Sequence, residues 1–133
     1  MDKKLFEYFL NDRFATGNGI ELVKMDVGYS LAKMEVKESH LNAAGTVQGG
    51  ALFTLADFAF GAASNAYGHV ALSISSSITF FKKSKVGDIL YAKANEISKS
   101  RRLAHHDVLI YNQDEEPVAK FSGTLYITLK PII

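Results

Sequence analysis

The chain contains no cysteine. Disulfides, thiolate zinc sites and cysteine nucleophiles are therefore excluded. It also lacks a charge of one sign: 15 Lys and Arg stand against 14 Asp and Glu, a formal net charge of +1. Nucleic-acid binders usually carry a strong basic excess, so no nucleic-acid partner is expected. No apolar run approaches the ~18 residues that cross a bilayer, and no membrane partner is expected. Lys3 and Lys4 precede an apolar stretch, but Glu7, Asn11, Asp12 and Arg13 break it too early for a signal peptide, so the cytoplasm is the expected location. Repeats, low-complexity tracts and linkers are also missing. What remains is an ordinary globular composition, 47% hydrophobic and 22% charged. Its length suits one domain, residues 1–133, with a core of its own.

Periodicity sets the order of elements. Phe6, Phe9, Leu10 and Phe14 recur at helical spacing and predict one short helix over Leu5–Phe14. Gly17-Asn18-Gly19 breaks the chain as a turn. Ile20–Val27 and Tyr29–Lys37 predict two strands turning at Gly28, and Ser39–Gly50 reads as loop. Ala51–Tyr67 is apolar on nearly every side and predicts one buried helix. Four strands follow: Val70–Phe81, Ile89–Ile97, Leu103–Tyr111 and Val118–Leu129. In the last, Ala119, Phe121, Gly123, Leu125, Ile127 and Leu129 share one face. The expected class is α+β, a curved antiparallel sheet of about six strands wrapped around one long helix. A helix apolar on all sides needs further cover, and a second copy of the chain is the natural source.

Asp57 is the anomaly on that helix. A carboxylate between Ala56 and Phe58 is costly unless it is paired or used. Gly50, Thr54, Asp57, Gly61 and Ser64 follow one another at steps of four, three, four and three, a stripe of small and polar groups with Asp57 at its centre. The opposite side, Leu52, Leu55, Ala56, Ala59, Ala62 and Ala63, is expected to face the sheet. Two readings of Asp57 stand: a structural carboxylate bonded to a cation or to backbone, or a reactive one. Gly49 and Gly50 lie where the helix begins, and free N–H groups there suit an oxyanion, although glycines before a helix also serve as plain turns. Asn42 offers an amide donor or a turn. His105, His106 and Asp107 resemble metal ligands, but alternation sends His106 to the other face, and no metal site is expected. The basic turns Lys82-Lys83-Ser84-Lys85 and Arg101-Arg102 are either solvated loops or phosphate contacts.

His40-Leu41-Asn42, Gly45, Gln48-Gly49-Gly50 and Asp57, seven residues after the second glycine, together resemble the PaaI-like (phenylacetic-acid-type) acyl-CoA thioesterases of the hotdog fold. One position departs from that family's pattern: Gln48 stands where it usually has histidine, and glutamine does not titrate. The resemblance implies hydrolysis of an acyl- or aryl-acyl-CoA to free acid and CoA, with no cofactor beyond the CoA of the substrate. It implies Asp57 as nucleophile or general base and the Gly49 N–H as carbonyl donor. Asn42 would assist, and Ser73 aligns with a serine that assists the attacking water in some relatives, although the run of serines reads equally as ordinary polar strand surface. By alternation Ser73 is expected to share a face with Ser75, Ser77 and Thr79. Gln48, Gly50, Thr54, Lys82 and Lys83 are the candidate substrate contacts. The resemblance also implies a homodimer with shared active sites, as part of a dimer of dimers. A non-catalytic acyl-CoA-binding module of the same fold is the alternative.

Overall fold

The computed structural model describes residues 2–133. Two short helices, α1 (Lys3–Phe9) and α2 (Arg13–Gly17), precede strands β1 (Ile20–Asp26) and β2 (Tyr29–Glu35). A single 3-10 turn at Glu38–His40 leads to helix α3 (Gly49–Asn65). Strands β3 (His69–Phe80), β4 (Ile89–Lys99), β5 (Leu103–Tyr111) and β6 (Pro117–Pro131) complete the chain. The six strands form one antiparallel sheet in the order β1-β2-β4-β5-β6-β3, leaving β1 and β3 as its edges. The sheet curves around α3, which touches every strand. This is the hotdog arrangement expected from the sequence.

The face of α3 expected against the sheet is there: Leu52, Leu55, Ala56, Ala59, Ala62 and Ala63 are all buried. Small residues on this face let the sheet approach closely. Buried hydrogen bonds then fix the helix along its length. The Ser30 hydroxyl of β2 donates to the Ala59 carbonyl, and Asn65 exchanges bonds with the backbone of Ala71 in β3. The β6 alternation holds from Ala119 to Ile127, but Leu129 is exposed because β6 runs on past the helix.

Two expectations are corrected. The N-terminal segment is not one helix over Leu5–Phe14. The Asp12 carboxylate accepts the Ala15 N–H at 3.0 Å, which makes Asp12 the N-cap of a new helix and breaks the old one. Phe6 and Phe9 pack on the core, Phe9 against Phe58, whereas Leu10 and Phe14 remain exposed. In β3, a bulge between Ser73 and Ser75 reverses the alternation. Ser73 pairs with Leu125, on the helix-facing side, while Ser75, Ser77 and Thr79 pair with Thr124, Ser122 and Lys120, on the outer side. No helix among the described residues is long and apolar enough to cross a membrane.

Candidate active site

The N-terminus of α3 is built around Gln48. Its backbone is extended (φ −67°, ψ 135°), and its side-chain oxygen accepts the Gly50 N–H at 2.5 Å, so glutamine acts as N-cap. Gly50 is required for this: a Cβ there would lie 2.5 Å from the same oxygen. The next turn is closed by the Thr54 hydroxyl, which donates to the Gly50 carbonyl at 2.8 Å. The Gly49 N–H has no acceptor among the described residues. A free N–H at the positive end of a seventeen-residue helix is suited to a developing negative oxygen. Gly49 is also constrained by packing, since a Cβ would come 3.0 Å from the Phe80 ring.

Asn42 forms the turn, and its amide is left able to donate. Its side-chain oxygen accepts the N–H groups of Ala44 and Thr46 at 3.0 and 3.2 Å, and the Thr46 hydroxyl at 3.3 Å. That locks the turn ahead of α3 and leaves the amide nitrogen, with two protons, unbonded and exposed. The loop is anchored to α3 by the Leu41–Val47 bridge and by the Gln48 N–H, which donates to the His40 carbonyl at 2.8 Å.

Asp57 is half-buried on the side of α3 turned away from the sheet. No Lys or Arg pairs with it, and no hydrogen bond to it is formed among the described residues. The structural reading of Asp57 therefore has no partner to supply it. Burial raises its pKa above the ordinary carboxylate value, and the charge of Asp12 adds to the rise. Both effects disfavour the ionised form and make the carboxylate a stronger base.

Two clefts flank the helix N-terminus. One, about 490 Å³, is lined by Gln48, Gly50 and Thr54, with Phe14, Met34 and Phe53 supplying apolar wall. The other, about 370 Å³, is lined by Gly49, Phe80, Lys82 and Lys83. The structure thus brings Gln48, Gly49, Gly50, Thr54, Lys82 and Lys83 to one end of the molecule. Lys82 is held at 2.6 Å by Glu116, whose carboxyl is kept below its usual range by that contact first and by Asn112 second. Lys83 has no ion-pair partner among the described residues. Arg101 and Arg102 lie at the other end of β4, an eleven-residue strand, so the two basic turns form no common patch.

Two candidates are not brought to that end. Asp57 follows Gly49 by eight residues, about 12 Å along the same helix axis at ~1.5 Å per residue. Ser73 is exposed on edge strand β3 and lines neither cleft. Among the described residues no group of three His, Asp or Glu is placed to hold a metal. His106 points into the core against Phe60, while His105 and Asp107 bond to Thr124 and Ser122 on the outer face. Sequence reasoning missed the structural part played by His40: a histidine in a loop carries no periodic signal, and its burial depends on contacts distant in sequence.

Residues 44–119 match the model of the thioesterase superfamily. A putative esterase of Archaeoglobus fulgidus is 36% identical over 118 residues, 89% of this chain and 77% of the relative. The acyl-coenzyme A thioesterase PaaI of Escherichia coli is 35% identical over 113 residues, covering 85% of this chain and 81% of PaaI. The solved structure of that protein, from the phenylacetic acid degradation operon, superimposes with a TM-score of 0.89, at 31% identity, over 97% of this chain and 99% of PaaI. A hypothetical thioesterase from Streptococcus pneumoniae, crystallised with coenzyme A, has a TM-score of 0.85 at 30% identity over 94% of this chain and 97% of its own.

Proposed function

Because the chain belongs to the thioesterase superfamily, we propose that it is a cytoplasmic acyl-CoA thioesterase that hydrolyses the thioester to a free acid and CoA. A thioester carbonyl is already electrophilic. It needs a donor for the oxygen that becomes negative, and a base or nucleophile. The unpartnered Gly49 N–H, assisted by the Asn42 amide, supplies the donor. Asp57 supplies the base or nucleophile, and Ser73 steadies the attacking water. The apolar cleft beside Gly50 and Thr54 takes the acyl group. The cleft beside Lys83 takes the CoA arm, with Lys82 held ready by Glu116.

The observation that carries this reading furthest is the separation of Gly49 and Asp57. About 12 Å of helix lies between them, too far for one carbonyl to meet both. A second copy bound across the open face of α3 would bring the Asp57 and Ser73 of one chain to the Gly49 and Asn42 of the other. The exposed edge of β3, with Leu72, Ile74 and Phe80 half or more uncovered, adjoins that face and supports such pairing. The assembly is then a homodimer with shared active sites, joined into a dimer of dimers.

The reaction requires no metal and no cofactor, since the carbonyl donor and the base both come from the protein. Thiol release from a panel of short, medium and aryl acyl-CoAs tests the reading, with and without a chelator. Release is expected in both conditions. Tight acyl-CoA binding without release would identify a non-catalytic module, and activity lost to the chelator and restored by zinc would overturn the metal-free mechanism.

A further inference from the structure

His40 is buried, although it belongs to the irregular segment between β2 and α3. The Lys37 N–H donates to its Nδ1 at 2.9 Å, and its Nε2 lies 2.6 Å from the Asn18 carbonyl. A donor faces one ring nitrogen and an acceptor faces the other, so the tautomer with its proton on Nε2 satisfies both. The main chain of His40 is used as fully: its N–H donates to the Lys37 carbonyl at 2.9 Å and its carbonyl accepts the Gln48 N–H at 2.8 Å. One residue therefore joins the end of β2, the turn between α2 and β1, and the N-cap of α3.

The last of these ties bears on chemistry. The direction of the Gly49 N–H is set by the conformation of Gln48. Gln48 is gripped on one side by the His40 carbonyl and on the other by its own bond to the Gly50 N–H. Two residues beyond His40, the chain places Asn42. We propose that His40 is a positioning residue for the carbonyl donors: its ring fixes the segment that aims the Gly49 N–H and the Asn42 amide. The bond from Nε2 to Asn18 makes the N-terminal turn part of that support, although this turn lies outside residues 44–119. The proposal rests on Gly49 being the donor. An aim lost by a fraction of an ångström weakens turnover more than substrate binding, because the donor acts chiefly on the charge that develops in the transition state.

The test compares His40→Phe, which keeps a ring and loses both ring bonds, with His40→Gln, whose amide can still donate towards Asn18. Leu22→Ala, a buried β1 change that removes none of these hydrogen bonds, serves as a control for stability lost without loss of aim. The measurements are kcat, KM, melting temperature, and amide hydrogen exchange at Gln48 and Gly50. His40→Phe is expected to lower kcat about 10- to 100-fold with KM changed less than about 3-fold. Exchange at Gln48 and Gly50 should quicken. His40→Gln should recover part of kcat, and Leu22→Ala should leave kcat near wild type at a comparable melting temperature. Wild-type kcat in a folded His40→Phe protein overturns the proposal, as does an equal kcat loss in Leu22→Ala. If His40→Phe fails to fold, His40→Gln and His40→Asn carry the same comparison, and wild-type kcat in both overturns it. If the wild type releases no thiol at all, the thioesterase reading fails by itself. Hydrogen exchange then decides for His40, and unchanged exchange at Gln48 and Gly50 overturns its role.

Discussion

Asp57 and His106 are titratable side chains without a hydrogen-bond or ion-pair partner among the described residues, and both leave a signature in pH dependence. Burial, with Asp12 behind it, raises the pKa of Asp57, so the native state binds this proton more tightly than the unfolded chain does. As pH rises past the ordinary carboxylate value of about 3.9, native stability is lost, because ionising Asp57 in place is harder than ionising it in water. Asp57→Asn is therefore expected to keep or raise the melting temperature at neutral pH while turnover falls at least ~100-fold. The acid limb of kcat/KM should lie above the ordinary carboxylate range, and Asp12→Asn should move it down. A lower melting temperature with turnover intact would return Asp57 to a structural role. His106 behaves in the opposite sense. It is fully buried with neither ring nitrogen bonded, and burial lowers its pKa, reinforced by His105 and opposed by Glu96. Below about pH 6.5 the unfolded chain gains a proton that the native chain resists, so stability falls on acidification. His106→Leu should flatten the loss of melting temperature between neutral and mildly acid pH, and an unchanged slope would show that other groups govern it.

At the scale of elements, the N-terminus of α3 offers a clean separation of backbone from side chain. Proline is well tolerated at the first position of a helix, and the extended Gln48 before it suits a following proline. Gly49→Pro and Gly49→Ala both bring a Cβ towards the Phe80 ring, which is half-exposed and able to move. Only proline removes the N–H. Turnover of the proline variant should fall roughly 100-fold below that of the alanine variant at similar melting temperature. Equal turnover in the two would rule the donor out. The same element shows what periodicity reveals. The sheet-facing side of α3 was legible because its pattern repeats with the helix. The break between α1 and α2 was not, because it turns on one Asp12 cap inside an unbroken apolar spacing. The β3 bulge was not either, because a run of serines reads alike on both faces.

At the scale of the molecule, the proposed sharing of one active site between two chains, which rests on the distance along α3 between donor and carboxylate, is tested by complementation. Asn42→Ala and Asp57→Ala, each expected to be inactive alone, are unfolded together in equal amounts and refolded. About half the dimers should be mixed, each with one doubly altered and one unaltered site. Activity should then return to about a quarter of wild type under free isologous pairing. No recovery, with mixed dimers shown to form, would place the whole site within one chain.

The order of elements from β1 onward, the buried α3, and the candidacy of Asp57, Gly49 and Asn42 follow from the sequence alone. Hydrophobic period and the cost of a carboxylate among apolar neighbours are both local properties, and they survive without coordinates. The resemblance to the thioesterases was likewise carried by short spacings, His40 to Asn42 and Gln48 to Asp57. Which donors remain free was settled only by the folded loop and helix cap. Among the described residues the Gly49 N–H is left without an acceptor, because Gln48 caps Gly50 instead. The turn uses only the oxygen of Asn42, and no described residue accepts from its amide nitrogen. The face of Ser73, the pairing of Lys82 with Glu116 and the threefold tie at His40 join residues far apart in the chain. No local pattern encodes such pairings, because their partners are chosen by the path of the backbone between them.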